Sequence, residues 1–191
     1  MEKTKFHNNV FFPMPMTIVG SIINNKPNYM AVGWVSRINA NPPMLVIGIN
    51  NRHFTIKGIL ETNEFSVNIP SENILTETDY VGIESGANVD KSEVFKSFFG
   101  TLKNAPLIDE CNVNLACKVV SIQKLPTNTL IVGEIVEAFC NPEFAENRNI
   151  SFDKMEAFFL TMPNNKYWSF GKETGEAWKI GKNYKPQKTT K

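Results

Sequence analysis

Asn28-Tyr29-Met30-Ala31-Val32-Gly33-Trp34-Val35-Ser36-Arg37 is followed closely by Asn41-Pro42-Pro43-Met44-Leu45-Val46-Ile47-Gly48-Ile49 and then by Asn50-Asn51-Arg52-His53-Phe54-Thr55. Two strand-like runs flank a Pro-Pro turn, and the second ends in a polar knot. The run 44–49 is continuously apolar, the pattern of a strand buried on both faces. After the knot, residues 55–63 carry apolar side chains at 56, 59 and 60, which is helical spacing with Thr55 placed to cap it. A fixed cation, a hydroxyl and free backbone N–H groups thus meet at a helix start, which is the make-up of an anion site.

Working outward, residues 16–23 are short and β-branched, and Asn24-Asn25-Lys26-Pro27-Asn28 reads as a turn into a strand over 29–36. Residues 65–69 alternate as a strand, and 72–83 suit a helix. Residues 85–88 read as a loop and 91–99 as a short helical turn. Two long runs, 113–125 and 130–139, are joined by Pro126-Thr127-Asn128-Thr129 and predict a hairpin. Residues 141–165 are Asn-rich and irregular, with an apolar island over 155–162. At least six strands, few helices and no βαβ series predict a mainly antiparallel β-barrel with helices plugging one side.

The chain has 191 residues, 42% hydrophobic and 20% charged, enough for one well-filled core. A net charge of +1 argues against a binder of nucleic acid, which works through a basic face. Only the end of the chain is biased, with lysines at 179, 182, 185, 188 and 191, and it reads as a solvated tail. No apolar run approaches the ~20 residues of a membrane span. Met1-Glu2-Lys3-Thr4-Lys5 lacks the apolar stretch of a signal peptide, so the expected location is the cytoplasm. Cys111, Cys117 and Cys140 form no Cys-x-x-Cys pair and fit thiols packed as small hydrophobes; a redox pair of Cys111 with Cys117 is the rival reading. With His7 and His53 the only histidines, no zinc spacing exists.

No glycine-rich phosphate loop is present, so a nicotinamide cofactor is not held by a Rossmann unit. No histidine stands in the setting of a nucleophile. If the chain is an enzyme, a cofactor supplies the reactive chemistry. Arg52 is one of only three arginines. Alone it reads as a surface residue pairing with an acid, and Thr55 alone as a helix cap. Together at one strand end they form an anion grip, because a guanidinium holds phosphate bidentately. Trp34 alone is core or interface filler, and Ser36 alone a strand hydroxyl.

Asn28-x-Met30-Ala31-x-x-Trp34-Val35-Ser36, then Pro42-Pro43, then Arg52-x-x-Thr55, resembles the flavin reductase-like family, of which flavoredoxins are a type. Ser85-Gly86 with Asp90-Lys91, the strand around Gly133-Glu134, and Tyr167 to Gly171 with Trp178-Lys179-Ile180-Gly181 extend the likeness over roughly residues 10–182. The resemblance implies an FMN-binding split β-barrel, one domain over 1–191, with a C-terminal extension from about 141 packing on the barrel or a dimer partner. It implies FMN in a cleft shared with the partner of a homodimer. Asn28, Met30 and Ala31 would edge the ring, with Trp34, Val35 and Ser36 along the same strand. Asn50, Arg52, His53 and Thr55 would hold the phosphate, joined by Lys91. Thr129 lies at the turn before the Gly-Glu strand, and Tyr167 and Trp168 would cover the flavin or the dimer seam. The implied activity is hydride transfer from NADH or NADPH to bound flavin. Where many family members carry Asp-His, this chain has Asn128-Thr129. That departure favours an alternative, an FMN-dependent electron carrier to a protein partner. A barrel without flavin, serving as a binding module, is a third reading.

Overall fold

The computed structural model describes residues 2–8, 12–146 and 149–186. The first strands are β1 (Met14–Pro15), β2 (Thr17–Ile23), β3 (Lys26–Val32), β4 (Val35–Asn39) and β5 (Met44–Asn50). Helix α1 (Thr55–Thr62) follows, then β6 (Glu64–Ile69) and helix α2 (Leu75–Ile83). Short strands β7 (Ser97–Phe98) and β8 (Leu107–Ile108) precede the long hairpin of β9 (Val113–Lys124) and β10 (Asn128–Cys140). The chain continues through β11 (Ala145–Glu146), β12 (Asn149–Ile150), β13 (Phe158–Thr161) and β14 (Lys166–Ser169).

Seven strands pair antiparallel in the order β3-β2-β6-β9-β10-β5-β4. β3 and β4 occupy opposite edges, yet only Gly33 and Trp34 separate them in the chain. A flat sheet of this order would be about 29 Å wide at the usual strand spacing, whereas the steps from Val32 to Val35 reach at most about 11 Å. The sheet therefore curls until its edges meet. The result is a mainly β split barrel, as expected.

The β2–β3 hairpin turns on Asn24 and Asn25, both left-handed at φ 52 and 62, a conformation asparagine tolerates. Inside the barrel Val19, Ile47, Phe65, Val67 and Ile131 pack with Ile56 and Ile59 of α1, so that helix is the plug. Burying each such side chain contributes about 1.5–3 kcal/mol. A second cluster joins Ile18 and Tyr29 to Val81 of α2, Phe95, Ile108 and Cys111, fixing α2 against the outside of β2–β3. Cys111 and Cys117 are free and buried in these separate clusters, so they pack as hydrophobes and form no redox pair.

Several local expectations change. Residues 29–36 form no single strand, because the chain changes sheet edge at Gly33 and Trp34. β5 is buried on one face only: Leu45, Ile47 and Ile49 face the core, while Met44, Val46 and Gly48 are half-buried. Thr55 is the first helical residue and not a cap; Phe54 holds the cap position without a side-chain bond. Residues 91–99 form turns and the start of the β7–β8 pair rather than a helix. The polar face of β6 is buried too, because Asn68 accepts from Ile108 N (3.1 Å) and Asn114 Nδ2 (2.9 Å). The late segment is not wholly irregular: β13 and β14 pair with β1 in a three-stranded wall beside the barrel. Among the described residues no helix is long and apolar enough to cross a membrane.

Candidate functional site: a two-lobed cleft

Between the barrel, α2 and the β1-β13-β14 wall lies a cavity of about 530 Å³. Met14, Met16, Met30, Leu160 and Met162 make it apolar, while Asn50, His53, Asp79, Asn128 and Asn165 supply polar groups. Methionine is flexible and polarizable, which suits a wall against a flat ring. A second lobe of about 200 Å³ shares Met30, His53, Gly82 and Ile83 with the first. It collects Arg52, Thr55, Ser85, Gly86 and Lys91.

The turn 50–53 is built locally and then clamped. Arg52 N donates to Asn50 Oδ1 (3.0 Å) and His53 N to Asn50 O (3.0 Å). Asn51 Nδ2 donates to Leu125 O (3.1 Å), and Asn51 Oδ1 accepts from Thr129 Oγ1 (2.7 Å). The β9–β10 turn thus fixes the direction of Arg52 and His53. Thr55 opens α1, and its Oγ1 accepts from Asn28 Nδ2 (2.8 Å). Asn28 is itself wedged against Gly86, where a Cβ would come within 2.0 Å of Asn28 Oδ1, so the Ser85-Gly86 turn approaches closely because residue 86 has no side chain.

Lys91 is the electrostatic centre of the lobe. It is 3% exposed, and its Nζ donates to Tyr29 O (3.0 Å) and Val81 O (2.9 Å). Both partners are neutral carbonyls. Burial pushes its pKa down to about 8, opposed by the field of Glu84. His53 is held below its ordinary value by burial and then by Lys91, so it is neutral at pH 7. At that pH Arg52 and a mostly charged Lys91 give the lobe two cations, and α1 adds first-turn N–H groups with no side-chain cap. The donor set fits a dianionic phosphate, and the apolar lobe beside it fits a planar ring.

Met30, Ala31, Trp34, His53 and Tyr167 line the large lobe and Arg52, His53, Thr55 and Lys91 the cationic one, while Asn50, expected at the phosphate, lines the large lobe instead. Others fall elsewhere. Asn28 lies behind Thr55, facing a separate polar cavity, and acts by positioning that hydroxyl. Val35 and Ser36 line an outer trough, since β4 has crossed to the far sheet edge. Thr129 is buried and bonded to Asn51, while its neighbour Asn128 lines the cleft. Trp168 turns away and donates Nε1 to Thr161 Oγ1 (2.8 Å), leaving Tyr167 as the cleft residue of β14. Sequence reasoning missed Met14, Met16, Asp79, Gly82, Leu160 and Met162. The apolar island over 155–162 was the one local signal for any of them.

The fold and the cleft together define a split barrel with an apolar lobe opening into a cationic one. The flavin reductase like domain matches residues 9–158, and the chain belongs to that family. The flavoredoxin structure from Methanosarcina acetivorans is 48% identical, with a TM-score of 0.94 over 95% of this chain and 98% of that one. The flavoredoxin of Desulfovibrio vulgaris (Miyazaki F) shares the fold at 24% identity and a TM-score of 0.87, over 95% of this chain and 100% of that one. An uncharacterized protein of Archaeoglobus fulgidus is 32% identical over 125 residues, 64% of this chain and 71% of its own length.

Proposed function

We propose that this chain is an FMN-binding redox protein of the flavoredoxin type, one flavin reductase-like domain over residues 1–191. The observation that carries the reading is Lys91, a buried cation that donates to the carbonyls of Tyr29 and Val81 with the Glu84 carboxylate nearby, beside Arg52 in a lobe continuous with the methionine-lined cavity. A buried charge is costly unless an opposite charge meets it, and a phosphate ester is the anion that suits two cations, a hydroxyl and a helix start. Arg52, His53, Thr55 and Lys91 would hold the phosphate of FMN, with Met30, Ala31, Trp34 and Tyr167 around its ring. The small cationic lobe favours FMN over FAD, because one anion-sized cluster serves one phosphate group. The 48% identity to a flavoredoxin supports the same reading.

When bound, the flavin supplies hydride and electron transfer, and the protein supplies position and electrostatics. NADH or NADPH is the proposed donor of the hydride. Electron delivery to a protein partner is the second reading, favoured by Asn128-Thr129 standing where many family members carry Asp-His. A homodimer is proposed on the exposed Trp178, Ile180 and Tyr184 of the C-terminal extension, apolar surface that association would cover. The buried thiols suit the reducing cytoplasm.

An anaerobic absorbance titration tests this. Added FMN should bind stoichiometrically, and NADH or NADPH should then bleach it. Bound flavin that neither nicotinamide bleaches supports the carrier. Protein that takes up no FMN refutes both redox readings. Arg52→Ala with Thr55→Ala should weaken FMN by a few kcal/mol, on the scale of lost charge-assisted hydrogen bonds.

A further inference from the structure

The large lobe of the cleft has an apolar neighbour on its other side. An outer trough of about 440 Å³ is lined by Phe12, Val35, Val46 and Leu130, with Ser36 its single hydroxyl. Met14, Trp34 and Gly48 border both spaces. The partition is therefore made by the Met14 and Trp34 side chains and the bare backbone of Gly48. Trp34 reaches this position because the chain crosses between sheet edges there, and Gly48 N donates to Trp34 O (2.8 Å), pinning its backbone to β5. Its side chain lies on Gly48: a Cβ at that residue would meet Trp34 Cε3 at 3.3 Å and Trp34 Cβ at 3.4 Å. A glycine in mid-strand weakens a sheet unless something approaches it closely, and here the tryptophan does.

From this geometry we infer that Trp34 determines which acceptors the cleft admits: it is the wall that limits them to small planar carbonyl compounds, of the quinone type. The inference rests on the flavin reading above and concerns a residue of this chain, not the flavin itself. The lining explains the class. Thioethers and aliphatic groups make up most of the lining, and Asn50, Asn128 and Asn165 offer amide groups that can meet carbonyl oxygens. A quinone held there would leave as the hydroquinone, with a hydride supplied by the reduced flavin, which is thereby oxidised, and a proton by water. Beyond Trp34 there is room that a longer fused-ring molecule could use only if the indole were absent.

The test uses the flavin-loaded protein and two probes, single-ring duroquinone and three-ring phenanthrenequinone. Binding to the oxidised protein is measured by calorimetry, without turnover. Reoxidation of the dithionite-reduced protein is measured by stopped flow. Trp34→Ala should raise the preference for phenanthrenequinone over duroquinone by at least about tenfold in both, the scale on which an apolar pocket discriminates by size. Trp34→Phe keeps a flat ring in the partition and should keep the wild-type ratio. Leu130→Ala enlarges only the trough and should also leave it unchanged. An unchanged ratio in Trp34→Ala, or an equal rise in Leu130→Ala, overturns the inference. FMN uptake by each variant is read first from absorbance. Failure of the wild type to take up FMN refutes the flavin reading, whereas bound flavin with an unmoved ratio refutes only the role of Trp34.

Discussion

Replacing Lys91 by methionine separates the cost of a buried charge from the benefit of the anion proposed to meet it. Without ligand, Lys91 is a buried ammonium whose partners are Tyr29 O and Val81 O. Its pKa of about 8 lies below the ordinary 10.5, so the unfolded chain binds the proton more tightly. The charge therefore lowers stability below pH 8, and the cost fades as pH rises from about 8 to 10.5. At pH 7 the fall from 10.5 to about 8 corresponds to about 3–4 kcal/mol. Lys91→Met removes that cost but leaves two carbonyls short of a donor, at about 1–3 kcal/mol each. The two effects nearly cancel, and the melting temperature of the ligand-free variant should move little. FMN affinity should fall much more, because a charged hydrogen bond to phosphate is worth about 1.5–3 kcal/mol, or roughly 10–150-fold.

Flavin titration followed by fluorescence quenching measures the change, with riboflavin as the control that lacks phosphate. Wild-type FMN affinity should be flat between about pH 7 and 8, where the phosphate is dianionic, and weaken by up to tenfold per pH unit above it, since binding must then recharge Lys91. The variant should show no such slope there. Equal FMN affinity in the two proteins, or an equal loss for riboflavin, would refute the assignment of Lys91 to the phosphate.

Three further outcomes follow from named contacts. Asn28→Ala removes the donor to Thr55 Oγ1 and should cost about 1–3 kcal/mol of stability in urea unfolding, with weaker FMN binding and no change at the ring lobe. Tyr167→Phe deletes the 2.7 Å bond to Asp79 that ties β14 to α2 across the cleft. That exposed bond is worth under about 1.5 kcal/mol, so stability should barely change while flavin dissociation, followed by stopped flow, accelerates several-fold. Ile59→Ala hollows the plug inside the barrel and should destabilise by about 2–5 kcal/mol in the same urea assay.

Features carried by short-range chemistry were legible in the sequence. Asn24 and Asn25 mark a hairpin because their side chains tolerate the left-handed backbone that turn needs. The knot 50–55 marks a strand end and a helix start, and Arg52, His53 and Thr55 all face the cationic lobe. Side-chain parity was less legible. Along a strand, neighbours point to opposite faces, so a one-residue ambiguity exchanges Asn128 for Thr129 and Tyr167 for Trp168. Val35 and Ser36 missed the cleft for a related reason: nothing in 29–36 announces that the chain changes sheet edge at Gly33.

The sequence by itself determined a mainly β chain with an anion grip after its second strand-like run, since turn residues, periodicity and charge act over a few residues. Only the tertiary structure decided what surrounds the grip. Barrel closure brings β3 beside β5, α2 lays Gly82 and Ile83 along the cleft, and β13 carries Leu160 to a wall begun by Met14. The last of these joins Met14 to Leu160, more than a hundred positions apart. These approaches are set by burial of the barrel core and by strand pairing, which no local pattern records. The same closure buries Lys91 near the turn, so that a second cation joins Arg52 in one lobe.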